Sequence, residues 1–112
     1  MANPRWRPLA NTNPTAPFPG VNRRTLVSGD NLTFLRVELD AGASVPEHTH
    51  PHEQAGTVAS GSVTLRIGDE EHEVTAGGSY LIPGDLPHVV TAIEPTVILE
   101  CFSPVREEFA ND

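Results

Sequence analysis

Short runs of Val, Ile, Leu, Thr and Phe fill the chain from Arg23 onward, cut at close intervals by Gly, Pro, Asp and Asn. Those breaks leave no segment with a helical period and caps, so the core has to be built from strands. Alternation supports this. Leu35, Val37 and Leu39 share one face of a strand, with Phe34, Arg36 and Glu38 on the other. Val63, Leu65 and Ile67 alternate with Thr64 and Arg66 in the same way. Strands are expected near 23–28, 32–39, 43–47, 54–60, 62–67, 70–75, 79–82, 88–94 and 96–103. Ser28-Gly29-Asp30-Asn31, Ser60-Gly61 and Gly68-Asp69 mark turns between them. Many short strands joined by turns imply an all-β chain of antiparallel sheets, a sandwich or barrel.

The 112 residues suit one compact domain. Five of the 11 prolines, Pro4, Pro8, Pro14, Pro17 and Pro19, fall in residues 1–20. Proline removes backbone donors, so this stretch reads as an extended arm, neither strand nor helix, ahead of a β-domain over 21–112. Trp6 and Phe18 would pin the arm to the body or to a partner subunit, and a homodimer is expected. No run approaches the ~18 apolar residues of a membrane helix, and the N-terminus lacks the apolar core of a secretion signal, so the expected setting is the cytoplasm. The lone Cys101 excludes an internal disulfide and reads as a small buried hydrophobe. All seven basic residues are arginine, against 15 acidic ones, for a net charge of −8. Such a chain repels phosphate backbones, which argues against nucleic acid as a partner. The absence of lysine excludes Schiff-base and P-loop chemistry.

The chemistry concentrates at Pro46-Glu47-His48-Thr49-His50-Pro51-His52-Glu53-Gln54. Histidines two apart on a strand point to one face. A bend after His50 would return the Gln54 amide to the same spot, and His88 follows on a later strand after Pro83-Gly84-Asp85-Leu86-Pro87. Three imidazoles and an oxygen donor suit a first-row divalent metal; Ni, Zn, Mn, Fe and Co all accept such a set. His52 reads as a supporting or surface group, and His72, within Asp69-Glu70-Glu71-His72-Glu73, as part of a solvated face.

The glycines around these residues carry a family pattern. Gly42, His48, His50, Gln54 and Gly61, at spacings of five, one, three and six intervening residues, resemble the first cupin motif. Gly77, Pro83, Asp85 and His88, at spacings of five, one and two, resemble the second. Gln54 stands where the family usually has glutamate, Asp85 where glycine is common, and Ala92 where asparagine is common. The resemblance covers about 42–103. It implies a single-domain cupin, a small six-stranded-type β-barrel or jelly roll, with His48, His50, Gln54 and His88 as ligands of an internal metal. Four neutral ligands would leave the charge of the metal uncompensated among its immediate donors, favouring an anionic or oxygen-rich ligand.

A narrower resemblance lies in the tail. Glu100-Cys101-Phe102-Ser103-Pro104-Val105-Arg106, with Gly29-Asp30-Asn31-Leu32 and the histidine stretch, is similar to KdgF-type cupins, which act in pectin and alginate breakdown. That resemblance implies opening of the ring of 4,5-unsaturated monouronates to the linear keto form. It makes Glu100, Phe102 and Arg106 catalytic, with Glu100 in the place of an aspartate, and makes the partner a small anionic sugar acid. Read from the strand alone, Ile98, Glu100 and Phe102 face one way and Val97, Leu99 and Cys101 the other. If the first face is internal, Glu100 is a general acid or base in a partly dry cavity, and Arg106 folds over the mouth to fork a carboxylate. The alternative arrangement pairs Arg106 with Glu107 or Glu108 at the surface and leaves Glu100 in solvent. Two other functions stay open at this level: an Fe(II) dioxygenase, and a non-enzymatic binding cupin for a sugar or other small molecule.

Overall fold

The computed structural model describes residues 3–112; the first two residues of the expected arm lie outside the described residues. Among the described residues ten strands form two antiparallel sheets. In chain order they are β1 (Thr15–Phe18), β2 (Val21–Ser28), β3 (Thr33–Leu39), β4 (Ser44–His48), β5 (Glu53–Ser60), β6 (Ser62–Ile67), β7 (Glu70–Thr75), β8 (Ser79–Ile82), β9 (His88–Ala92) and β10 (Thr96–Ser103). The larger sheet runs β1-β2-β3-β10-β5-β8 and the smaller β4-β9-β6-β7. Together they make a jelly roll. Nine strands fall where alternation and turn residues put them, to within two residues at each end.

Strand β1 corrects the reading of residues 1–20 as free of strand. Thr15 pairs with Arg23 and Phe18 with Val21, although Pro17 lies between them. The physical reason is position: β1 is the outermost strand of its sheet, and an edge strand can point a missing N–H outward. Upstream, Leu9–Asn11 form one 3-10 turn. Trp6 is 82% exposed and does not pin the arm to the body.

Alternation fills the core. On β3, Thr33, Leu35, Val37 and Leu39 are buried while Phe34, Arg36 and Glu38 are half-buried. On β10, Thr96, Ile98, Glu100 and Phe102 are buried in the same rhythm. Val58 and Ile82 are buried on β5 and β8 of the same sheet, and Val63 and Ala92 on β6 and β9 of the facing one. Because β10 sits in the larger sheet between β3 and β5, its inward carboxylate is carried into the interior by the same alternation that buries Ile98 and Phe102. Cys101, on the opposite face, is partly exposed, and burial still raises its thiol above the ordinary range.

The β5–β6 turn depends on Gly61, at φ +88°. A Cβ there would lie 2.3 Å from the Pro95 carbonyl oxygen and 2.5 Å from Thr96 Oγ1. That hydroxyl accepts the Ser62 N–H and donates toward the Ser62 and Glu94 carbonyls. Gly61→Ala therefore combines a left-handed backbone with a clash against backbone, and is expected to destabilise by about 3 kcal/mol, read by urea unfolding.

Candidate metal centre

His48 ends β4, His88 begins β9 directly opposite it, and His50 lies in the bend that leads to Gln54 on β5. The three rings gather at centroid separations of 4.2 Å (His48–His88), 5.0 Å (His50–His88) and 5.6 Å (His48–His50). A ligand atom from each falls within 4.8 Å of the others. The two motifs are also joined through the backbone. The Asp85 N–H donates to the His50 carbonyl at 2.8 Å, and a Cβ on Gly84 would meet the Pro51 carbonyl oxygen at 2.3 Å. Asp85 itself has φ 68°, a conformation that glycine adopts freely and aspartate tolerates.

The hydrogen bonds decide which ring nitrogen faces inward. His48 Nδ1 lies 2.8 Å from the Pro46 carbonyl, His88 Nδ1 2.9 Å from that of Leu86, and His50 Nδ1 3.1 Å from that of His52. A carbonyl only accepts, so each Nδ1 carries a proton, and in the neutral ring Nε2 then keeps a bare lone pair. His88 Nε2 is buried with no hydrogen-bond partner among the described residues. His50 Nε2 lies 3.1 Å from Gln54 Oε1. The Gln54 amide is turned that way because its Nε2 donates to Glu100 Oε2 at 2.8 Å. Two acceptors thus face each other. Protonating His50 does not relieve this at neutral pH: burial first, then the charge of Arg106 and the other two imidazoles, push its pKa down to about 4. Burial also lowers His88, against the opposing pull of the Leu86 carbonyl. Converging bare lone pairs on neutral imidazoles, with an amide oxygen beside them, are the donor set a divalent transition metal takes. His48, His50, Gln54 and His88 would hold such an ion, and its identity is open among Ni, Zn, Mn, Fe and Co.

The other expected residues surround the same cavity, of about 280 Å³, between the sheets. Glu100 is buried, and desolvation raises its pKa to about 7, against the Tyr80 hydroxyl and the Arg106 charge, which favour the ionised form. Phe102, 3% exposed, sets its ring edge-on to His50 at 5.4 Å. Beyond the cis Ser103–Pro104 bond, the tail brings Arg106 back over the cavity. Its guanidinium lies 4.8 Å from the Phe102 ring and 4.4 Å from that of Phe109, with Nε on Glu108. The two arrangements weighed for Arg106 therefore coexist: it pairs with Glu108 and lines the cavity. Glu100 is not in solvent.

His52 stands outside the cluster and donates through Nε2 to the Val105 carbonyl at 3.1 Å, bracing the tail. His72 is exposed. Sequence reasoning missed Tyr80, Arg23 and Phe109, which also line the cavity. Arg23 lies 3.9 Å from the Phe109 ring and pairs with Asp112 at 3.0 Å. Strand parity alone gives Tyr80 an even chance of facing inward, and no spacing rule brings Phe109 back to β2.

The profile of the cupin domain family matches residues 35–102. The pectin degradation protein KdgF of Dickeya dadantii (strain 3937) is 30% identical over 92 residues, covering 80% of this chain and 84% of that protein. Among solved structures, an RmlC-like cupin from Shewanella frigidimarina NCIMB 400 superposes with a TM-score of 0.89 at 24% identity, covering 96% of this chain and 97% of its own. KdgF from Halomonas sp. superposes at 0.88, also at 24% identity, covering 95% and 98%.

Removing one imidazole tests the centre. His88→Ala is expected to cut metal retained after dialysis to well under a tenth of the wild-type stoichiometry by elemental analysis, with the β-sheet circular dichroism unchanged.

Proposed function

The chain belongs to the cupin family, and from that premise we propose that it opens the ring of 4,5-unsaturated monouronates to the linear keto acid, as a metal-dependent isomerase. The observation that carries the reading is the convergence of Glu100 and Arg106 on the cavity beside His48, His88 and Gln54. The similarity to a pectin degradation protein points to the same class of substrate.

A chain of net charge −8 has placed cationic groups at this cavity, Arg106 and Arg23, which suits an anionic ligand. Arg106 has its Nε side taken by Glu108. Among the described residues no protein acceptor pairs with its two terminal nitrogens, which leaves them for the uronate carboxylate. Phe102, packed against His50 and under the Arg106 guanidinium, offers a rigid apolar wall to the sugar ring and keeps water from it. Glu100 takes the proton of the anomeric hydroxyl. The electrons of that O–H bond form the C1 carbonyl as the bond from C1 to the ring oxygen breaks. The ring oxygen takes that proton from Glu100 as it leaves, giving the enol of C5, still doubly bonded to C4. Delivery of a proton to C4 and loss of the enol proton give the ketone, so the sum is an isomerisation with no added reactant. A divalent ion held by His48, His50, Gln54 and His88 would supply electrostatic polarisation of the substrate oxygens.

We propose further that the protein is a cytoplasmic homodimer. The exposed Trp6, Leu9 and Phe18 in the first 20 residues support the second copy, and sedimentation equilibrium reads it: a mass near twice 12.0 kDa is expected.

Turnover is followed as loss of the conjugated enol-ether absorbance of a 4,5-unsaturated uronate. Metal-loaded protein is expected to accelerate the loss and chelated protein not to. Arg106→Ala is expected to lower kcat/KM by about 100-fold, and Glu100→Gln to lower kcat by about 100-fold or more. If metal-loaded protein of confirmed metal content gives no acceleration, uronates are discarded. Oxygen uptake with bound iron would then separate a dioxygenase from a binding protein.

A further inference from the structure

We infer that Tyr80 is a positioning residue for Glu100, reaching it across a gap in the sheet that Gly56 provides. The inference rests on the reading of Glu100 as the proton-moving group. It comes from a row of residues in register across four strands: Leu35 on β3, Glu100 on β10, Gly56 on β5 and Tyr80 on β8. Glu100 and Tyr80 stand two strands apart, roughly 10 Å between backbones. Any side chain on the strand between them would stand in the way. Position 56 has none, and the Tyr80 ring occupies the space. A Cβ at Gly56 would lie 2.4 Å from Tyr80 Cζ and 2.4 Å from its hydroxyl oxygen.

Lying over Gly56, the ring brings its hydroxyl to Glu100 Oε1, donating at 3.4 Å. The other oxygen, Oε2, accepts from the Gln54 amide at 2.8 Å. Each carboxylate oxygen therefore has its own donor, from two different residues. A glutamate has three side-chain torsions to fix before its carboxylate can serve one atom of a substrate, and two anchored oxygens remove that freedom. Burial and the nearby Glu100 carboxylate keep the phenol protonated far into the alkaline range, so it acts only as a donor here.

Tyr80→Phe keeps the ring over Gly56 and removes only the hydroxyl. It is expected to lower kcat about tenfold with KM unchanged, because the uronate carboxylate is held by Arg106. In a Glu100→Gln background the same change is expected to cost nothing further, since the hydroxyl acts through Glu100. Full kcat in Tyr80→Phe, a raised KM at unchanged kcat, or an equal loss in the Glu100→Gln background would each overturn the role. A second readout needs no turnover. Tyr80 is the single tyrosine of the chain, so tyrosinate absorbance in an alkaline titration reports on it alone. Glu100→Gln is expected to bring that midpoint down towards the ordinary tyrosine value, and an unmoved midpoint overturns the contact. A protein inert towards uronates whose midpoint still moves would retire the substrate and keep the Tyr80–Glu100 pair.

Discussion

The orientation of one amide organises the cavity. Gln54 gives its N–H to Glu100 and thereby turns its oxygen toward the imidazole of His50. A carboxylate at position 54 would place two acidic groups against each other in a space that already raises the pKa of Glu100. The amide avoids that repulsion and still offers an oxygen to a cation. The acidic group of the cavity is Glu100 instead, hydrogen-bonded to the Gln54 amide.

The remaining electrostatics follow from burial. Histidine Nδ1 protons tied to the carbonyls of Pro46, His52 and Leu86 leave the three Nε2 atoms to converge. Neutral donors in a low-dielectric interior are poorly satisfied by one another, and a cation relieves them all at once. Around this centre the wall is apolar, and the charges that do reach it are Arg23, Arg106 and Glu100. Two guanidinium groups thus stand at the cavity of an otherwise acidic protein, each with one carboxylate partner, Asp112 for Arg23 and Glu108 for Arg106.

Much of this was legible in the chain. Alternation located nine strands and the inward faces of β3 and β10, because burial on a sheet follows a period of two. The glycine and histidine spacings pointed to His48, His50, Gln54 and His88 as a group, and the structure gathers the three imidazoles around one point. Strand β1 was hidden by Pro17: proline excludes a strand only where its N–H is needed, and whether a segment lies at an edge is a property of the whole sheet. Asp85 departs from the glycine common in the family pattern yet keeps the turn, since an aspartate can take the left-handed conformation.

The sequence by itself determined the periods, the turns and the residue types: which faces are apolar, which donors are grouped, and that no helix competes. Those are local properties, set by neighbours within a few positions. The tertiary structure decided the rest. It aligned Glu100, Gly56 and Tyr80 in one row, turned the Gln54 amide, and returned Arg106 and Phe109 to the mouth of the cavity. These depend on registers between strands far apart in the chain, and a register is chosen by the packing of the complete core rather than by any segment's own preference.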